Sequence, residues 1–226
     1  MSQESIVTPD ILLEFLEAAF HQILYYRKIY PDSIYSRRKL YGIGIYVSEH
    51  PDLNEYLKNV LNSLRELLKD DISCVKAVQM TFFNKERIPI EKFVFDILDL
   101  KASDKEADPY FLKTEEALRT ICLKISTTES YLKPLPENST FRVNFLTFES
   151  SHIGLSENAN FADFPWIVDD SDIELKNQQL LPLKTIKTDC LNLQMYAIED
   201  KLSKLNINSS NKKETCAIAT TSKLKN

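Results

Sequence analysis

The sequence predicts a single α+β domain in which three helices pack on a mainly antiparallel sheet, with a mobile strand pair near the C-terminus. Three observations carry that expectation. Helical and strand-like stretches follow one another without the regular β-α-β alternation of a parallel sheet. Leu53, Tyr56, Leu57, Val60, Leu61, Leu64, Leu67 and Leu68 recur at the spacing of one helical face. Leu191, Leu193, Met195 and Ala197 alternate strictly with Asn192, Gln194, Tyr196 and Ile198, as in a half-buried strand. At 226 residues and 43% hydrophobic, the chain can bury one substantial core and is short for two.

Taken in order, Thr8-Pro9-Asp10 supplies a capping hydroxyl, a proline suited to a first helical position and an acid at the positive end of the helix dipole. A first helix is expected to start there, with apolar residues from Ile11 to Tyr30 on several sides, until Pro31 stops it. Arg37-Arg38-Lys39 reads as a basic turn and Tyr41 to Val47 as a strand, with Gly42 and Gly44 on one face admitting a close neighbour. His50-Pro51-Asp52 opens the second helix. Val75 to Phe83 and Ile90 to Leu98 form a hairpin across the charged turn 84–87, and Phe93, Phe95 and Ile97 line its core face. After a polar loop over 101–107, Asp108-Pro109 repeats the cap-plus-proline signal before a third helix that reaches Thr127. Thr140 to Phe148 alternates as a strand. The hydrophilic stretch 149–163 is longer than most connections within a domain, which marks it as functional or mobile. Strands over 180–188 and 191–198 follow, and 201–226 is polar enough to be disordered.

Composition removes several function classes. A formal charge of -5 and a pI near 5.4 oppose a broad phosphate-gripping surface, so any DNA is expected to be held by another subunit. The start of the chain has neither a basic nor an apolar leader region, and its first apolar stretch is broken by Glu14, Glu17, His21, Arg27 and Lys28, so a soluble intracellular protein without a membrane span is expected. Cys74, Cys122, Cys190 and Cys216 show no zinc spacing, and three glycines leave no phosphate-cradling loop. His21, His50 and His152 share no ligand geometry, and Asp169, Asp170 and Asp172 lack the glycine turn of a calcium loop. Neither a catalytic constellation nor a cofactor is expected, and a concealed metal- or nucleotide-dependent enzyme is the remote alternative.

Two recognition candidates remain. Trp166, the only tryptophan, sits in Asp163-Phe164-Pro165-Trp166-Ile167 between a polar and an acidic stretch, where it would plug the core or line a peptide groove. On the outward face of the last strand, Gln194 and Tyr196 beside Leu180 offer an amide, a phenol and a leucine, a mixture suited to protein recognition or simply to an exposed strand. An edge strand pair hung on a long loop could also wrap an added peptide strand.

Seven blocks then carry a family likeness: Phe15-Leu16-Glu17 to Tyr25, Tyr30-Pro31, His50 to Tyr56, Glu91 to Ile97, Leu123 to Ser126, Asp163 to Ile167 and Leu181-Pro182-Leu183-Lys184-Thr185. Over about residues 10 to 200 the chain closely resembles the HORMA-domain accessory subunits of DNA polymerase zeta, the mitotic-arrest-deficient-like protein B family. The resemblance implies a single HORMA domain over 8–200, whose safety belt, about 149–200, closes over a proline-containing peptide of the polymerase's catalytic subunit. It implies that Tyr30, Tyr56 and Trp166 line that peptide site. Leu180, Gln194 and Tyr196 would bind the C-terminal domain of the scaffolding translesion deoxycytidyl transferase, and Arg119 would belong to a HORMA homo- or heterodimer interface. A nuclear, non-enzymatic adaptor of damage tolerance follows, with a cytoplasmic pool also conceivable. The alternative is a HORMA adaptor of the spindle checkpoint, meiosis or double-strand-break repair with another closure motif. The chain departs from the family pattern at 101–107, at 149–160 and after Asp200.

Overall fold

A computed structural model describes residues 4–70, 72–101, 108, 111–147, 173–175 and 177–200. Helix α1 (Glu4–Tyr26) leads through a short 3-10 turn at Asp32–Ile34 into a hairpin of β1 (Tyr35–Leu40) and β2 (Ile43–Ser48). Helix α2 (Pro51–Asp70), strands β3 (Val75–Phe83) and β4 (Pro89–Leu100), helix α3 (Leu112–Ser126) and strand β5 (Thr140–Thr147) follow. A ribbon of β6 (Gln178–Lys187) and β7 (Leu191–Asp200) ends the described chain. The main sheet has the order β5-β3-β4-β7-β6 and every neighbouring pair is antiparallel.

One face of that sheet carries the helices. Phe93 and Phe95 of β4, Val78, Met80 and Phe82 of β3, Val143 of β5 and the predicted row Leu191, Leu193, Met195 and Ala197 of β7 all enter the core. Helix α1 lies centrally, in contact with α2, α3 and β2, and its Leu12, Phe15, Leu16, Ala19, Phe20, Ile23 and Leu24 are fully buried. Phe15 and Phe20 meet Phe95 edge-on, with ring centroids 6.0 and 6.1 Å apart. Apolar residues around most of α1 are therefore explained by burial on several sides.

Four boundaries differ from expectation. Helix α1 starts at Glu4, so Pro9 lies inside it. As the sixth residue of the helix, Pro9 removes one intrahelical N–H donor in the second turn. The helix also ends at Tyr26, short of Tyr30. Arg37-Arg38-Lys39 is not a turn but the middle of β1, paired with Tyr46, Ile45 and Gly44. The reversal falls at Tyr41 and Gly42, with φ of 50° and 73°, the two-residue geometry that suits the twist of a tight hairpin. Gly42 is thus a turn residue, whereas Gly44 does admit a close neighbour: the Arg37 guanidinium occupies the space a side chain there would need. Helix α3 begins at Leu112 rather than at Pro109, and the Asp108 carboxylate accepts from the Thr114 N–H at 3.1 Å and its hydroxyl at 3.0 Å.

A buried polar post fastens the layers. Arg27 Nε and Nη2 donate to the two Glu91 carboxylate oxygens at 2.7 and 2.8 Å, and the side chains are 3% and 1% exposed. Arg27 also donates to the Lys133 carbonyl, the Lys133 N–H donates to Glu199 at 2.8 Å, and Lys133 Nζ reaches the Asp200 carbonyl at 3.1 Å. Glu91 and Glu199 face each other in the β4–β7 register. Burial pushes Glu91 up to about 7, against the attraction of Arg27.

His21 is a core residue, as its place on α1 suggests. Its Nδ1 accepts from the Ser48 N–H at 3.3 Å, and burial, reinforced by Arg38, lowers its pKa to about 4. Cys74, Cys122 and Cys190 are buried free thiols, and burial pushes Cys122 up to about 12. No helix among the described residues is long and apolar enough to cross a membrane.

Two outcomes follow from these buried groups. Arg27→Ala strands the Glu91 carboxylate and should cost about 3–5 kcal/mol in urea unfolding, whereas an Arg27→Met, Glu91→Leu double variant should recover most of it. His21 binds its proton less tightly folded than unfolded, so the stability it contributes is present above pH 6.5 and lost as pH falls toward 4. The wild type should lose about 3 kcal/mol more than His21→Gln across that window, read from urea midpoints at each pH.

Candidate functional site

Strand β5 is an edge, and no strand among the described residues pairs with its outer side. Its inner side bonds to β3, so alternate residues turn their backbone groups outward. Val143 is one of them, and its N–H donates to the Tyr56 hydroxyl at 3.4 Å, a long bond that occupies the outer edge without a strand. By the same alternation, Phe141 and Phe145 also present outward backbone groups.

Helix α2 brings Tyr56 to this edge because its apolar stripe faces the sheet there. The Tyr56 ring meets Phe141 edge-on at 5.6 Å, and Phe141 in turn packs beside Phe82. Burial raises the Tyr56 pKa, and neighbouring Tyr30 adds to the rise while the Val143 N–H opposes it. Tyr30, half-buried after α1, is likewise raised by burial. The structure therefore brings Tyr30 and Tyr56 together beside the β5 edge. Trp166 lies outside the described residues, as do His152, Cys216, the acidic residues 169–172 and the stretch 149–163.

Leu180, Gln194 and Tyr196 share the opposite side of the sheet from the helices. In the β6–β7 register Leu180 faces Ile198, Pro182 faces Tyr196 and Thr185 faces Gln194, so Leu180 and Tyr196 are diagonal neighbours. Leu180 is 58% exposed, and Gln194 and Tyr196 are half-buried. Across the β4 pairing, Gln194 faces Asp96. Burial raises the Asp96 pKa, and a hydrogen bond from the Tyr196 hydroxyl works against the rise. The tyrosine is thus held in place by a carboxylate, leaving a flat apolar and amide surface.

Arg119 stands apart from both surfaces. It lies on α3 at half exposure, and a Cβ built on Gly42 would come 3.8 Å from its Nη1, so it reaches the β1–β2 turn. Leu112 and Leu123, both exposed, share its helical face. Sequence reasoning missed the Arg27, Glu91, Lys133 and Glu199 post. The available signal was a glutamate next to the apolar row Ile90, Phe93 and Phe95 of a strand and an arginine directly after an apolar helix. No group of histidine, cysteine and acidic side chains suited to a metal occurs among the described residues.

A HORMA-domain family model matches residues 10–151. The human "Mitotic spindle assembly checkpoint protein MAD2B" is 37% identical over 195 residues, covering 85% of this chain and 91% of that protein. The Drosophila melanogaster "DNA polymerase zeta subunit 2" is 31% identical over 194 residues, covering 84% and 95%. The Arabidopsis thaliana "DNA polymerase zeta processivity subunit" is 28% identical over 192 residues, covering 85% and 86%. Among solved structures, a chain of the mitotic checkpoint complex aligns with a TM-score of 0.72 at 19% identity, over 85% of this chain and 98% of that one. Caenorhabditis elegans HTP-2 bound to the HIM-3 closure motif aligns with a TM-score of 0.65 at 13% identity, over 86% and 90%. These last two show a shared fold.

Tyr56→Phe removes the acceptor of the Val143 N–H and leaves the ring packing in place. Hydrogen exchange at the Val143 amide should quicken about fivefold to tenfold, with global stability reduced by about 1 kcal/mol or less.

Proposed function

The chain belongs to the HORMA-domain family, and from that premise we propose that it is a non-catalytic subunit of DNA polymerase zeta that captures a proline-containing segment of the catalytic subunit. The observation that carries this is the β5 edge, where a tyrosine hydroxyl holds a backbone N–H that an added strand would take. Aromatic rings flank that edge, and Tyr30 and Tyr56 would offer their faces to the prolines, with Trp166 completing the pocket.

The two sheet edges are not equivalent, which supports one direction of strand addition. The β6 edge carries Pro182, which has no N–H, together with Lys184, Lys187 and a register shift between Pro182 and Lys184. Those features oppose pairing with another chain. Strand β5 has no proline. The chain leaves β5 at Thr147 and re-enters the sheet at Gln178 on the far edge, about 19 Å across at four strand spacings and, because β5 and β6 run parallel, about 23 Å back along the strands. Residues 148–177 are long enough to pass around an added strand, so the safety belt over 149–200 would close on the peptide and make its release slow.

Leu180, Gln194 and Tyr196 would meanwhile bind the C-terminal domain of the scaffolding translesion deoxycytidyl transferase, bridging it to the catalytic subunit at damaged DNA. Arg119 with Leu112 and Leu123 would contact a second HORMA domain. DNA would be met only through the polymerases, in the nucleus. A checkpoint or meiotic HORMA adaptor with another closure motif is the second reading. It has the support of the fold shared with HTP-2, and a peptide array would favour it if bound segments need no proline.

Trp166→Ala should lower affinity for the proline-containing segment by at least about 2 kcal/mol while sparing the partner held by Gln194 and Tyr196. Calorimetric titration of each partner checks this. Loss of both would mean that the ribbon had come apart, and loss of neither would remove Trp166 from the peptide site.

A further inference from the structure

We propose that the cleft between α1, the β1–β2 hairpin and α2 is a separate recognition site for a glutamine or asparagine side chain carried on a partner segment with charges of both signs. The cleft has a volume of about 660 Å³. Its floor holds two side chains organised by one backbone residue. His21 Nδ1 accepts from the Ser48 N–H, and Asn54 Nδ2 donates to the Ser48 carbonyl at 2.9 Å. Because a strand residue's N–H and C=O point to the same side, His21 and Asn54 lie next to each other.

Each is left with one unused polar group. With Nδ1 accepting, the proton of neutral His21 sits on Nε2, which has no hydrogen-bond partner among the described residues, and His21 lines the cleft. The low pKa of His21 keeps it neutral at physiological pH, so Nε2 is a fixed donor. Asn54 Oδ1 is buried and accepts nothing among the described residues. The buried acceptor is costly unless something bonds to it, and a donor on the wall of the same cleft stands unfilled beside it.

The partner that fits is a primary carboxamide. Its C=O and one N–H point the same way and can meet a donor and an acceptor together, whereas a trans peptide group points them in opposite directions. The rims add the charge preference. Glu14 and Glu17 line it from α1, Arg38 from β1 and Lys58 from α2, and none of the four forms an ion pair among the described residues. Asp10 and Arg65 pair at 2.6 Å and close one end. A segment with a basic residue toward α1 and an acidic residue toward α2 matches these walls. The site is independent of the β5 edge, since Asn54 and Tyr56 lie about 200° apart around α2.

The test is an NMR titration of the isotopically labelled full chain with Ac-Lys-Gln-Glu-NHMe and Ac-Lys-Met-Glu-NHMe, each in both charge orders. The methionine peptides keep the shape and charges but lack the carboxamide. We expect a glutamine peptide to shift the Asn54 side-chain amide and the His21 imidazole nitrogens with a dissociation constant on the order of millimolar. The methionine peptides should bind about tenfold more weakly, and Lys58→Glu, an exposed change, should weaken the glutamine peptide about threefold or more. Equal binding of the two peptides, shifts that bypass His21 and Asn54, or no shift up to about 20 mM would overturn the proposal, leaving these groups to water.

Discussion

Arg27 and Glu91 set the constraint around which the rest is arranged. Two charges removed from water cost several kcal/mol each, which bidentate geometry and further hydrogen bonds offset. Here the guanidinium uses its fork on Glu91 and its third contact on the Lys133 carbonyl, and Lys133 hands on the connection to Glu199 and Asp200. The post therefore joins the end of α1, the start of β4, the segment before β5 and the end of β7. No apolar replacement of one member alone can keep those four in register, because the charges left behind would be unpaired.

That fixture explains how a strand ribbon arriving last in the chain becomes part of the main sheet. Strand β7 inserts its alternate apolar residues under the helices, and β4 supplies its backbone partners from Glu91 to Leu100. The hydrophobic row gives most of the free energy but little choice of register beyond odd against even. Glu199 facing Glu91 would repel it unless Arg27 and Lys133 were both in place, so the polar post selects the register that the apolar row alone leaves open. A register shift between Ile97 and Asp99 at the other end takes up the remaining mismatch.

How much of this was legible depended on whether the deciding physics was local. The β7 alternation, the α2 stripe and the β3–β4 hairpin are written in periodicity, and each element lies within a few residues of its expected place. The shared face of Leu180, Gln194 and Tyr196 follows from the same alternation once the strands are paired. Strand β1 was hidden because Arg37-Arg38-Lys39 has the composition of a turn, and only the tight Tyr41-Gly42 reversal and the cross-strand partner Ile43–Ser48 make it a strand. Arg27, Glu91, Lys133 and Glu199 span more than 170 positions of sequence, so no spacing rule could join them. Tyr30 and Tyr56 acquire a common site only when α2 is laid against the β5 edge. Arg119 could be singled out by likeness alone, since an arginine on a helix has no local signature of its role.

The proposed functions sit at opposite ends of the sheet, and the post gives them a common support. Strand order places the β5 edge and the β6–β7 surface on either side of β3 and β4, so two partners of ordinary size need not collide. Yet Lys133, which holds Glu199 at the end of β7, also begins the short segment that leads into β5. A strand added at β5 would bear on that segment, and a partner on Tyr196 would bear on β7 three residues before Glu199. Coupling through such a post needs two alternative arrangements of it, and a bidentate ion pair with both side chains buried favours one. The geometry thus favours a rigid bridge: each surface is kept in shape by the same buried charges, and occupation of one leaves the other as it was.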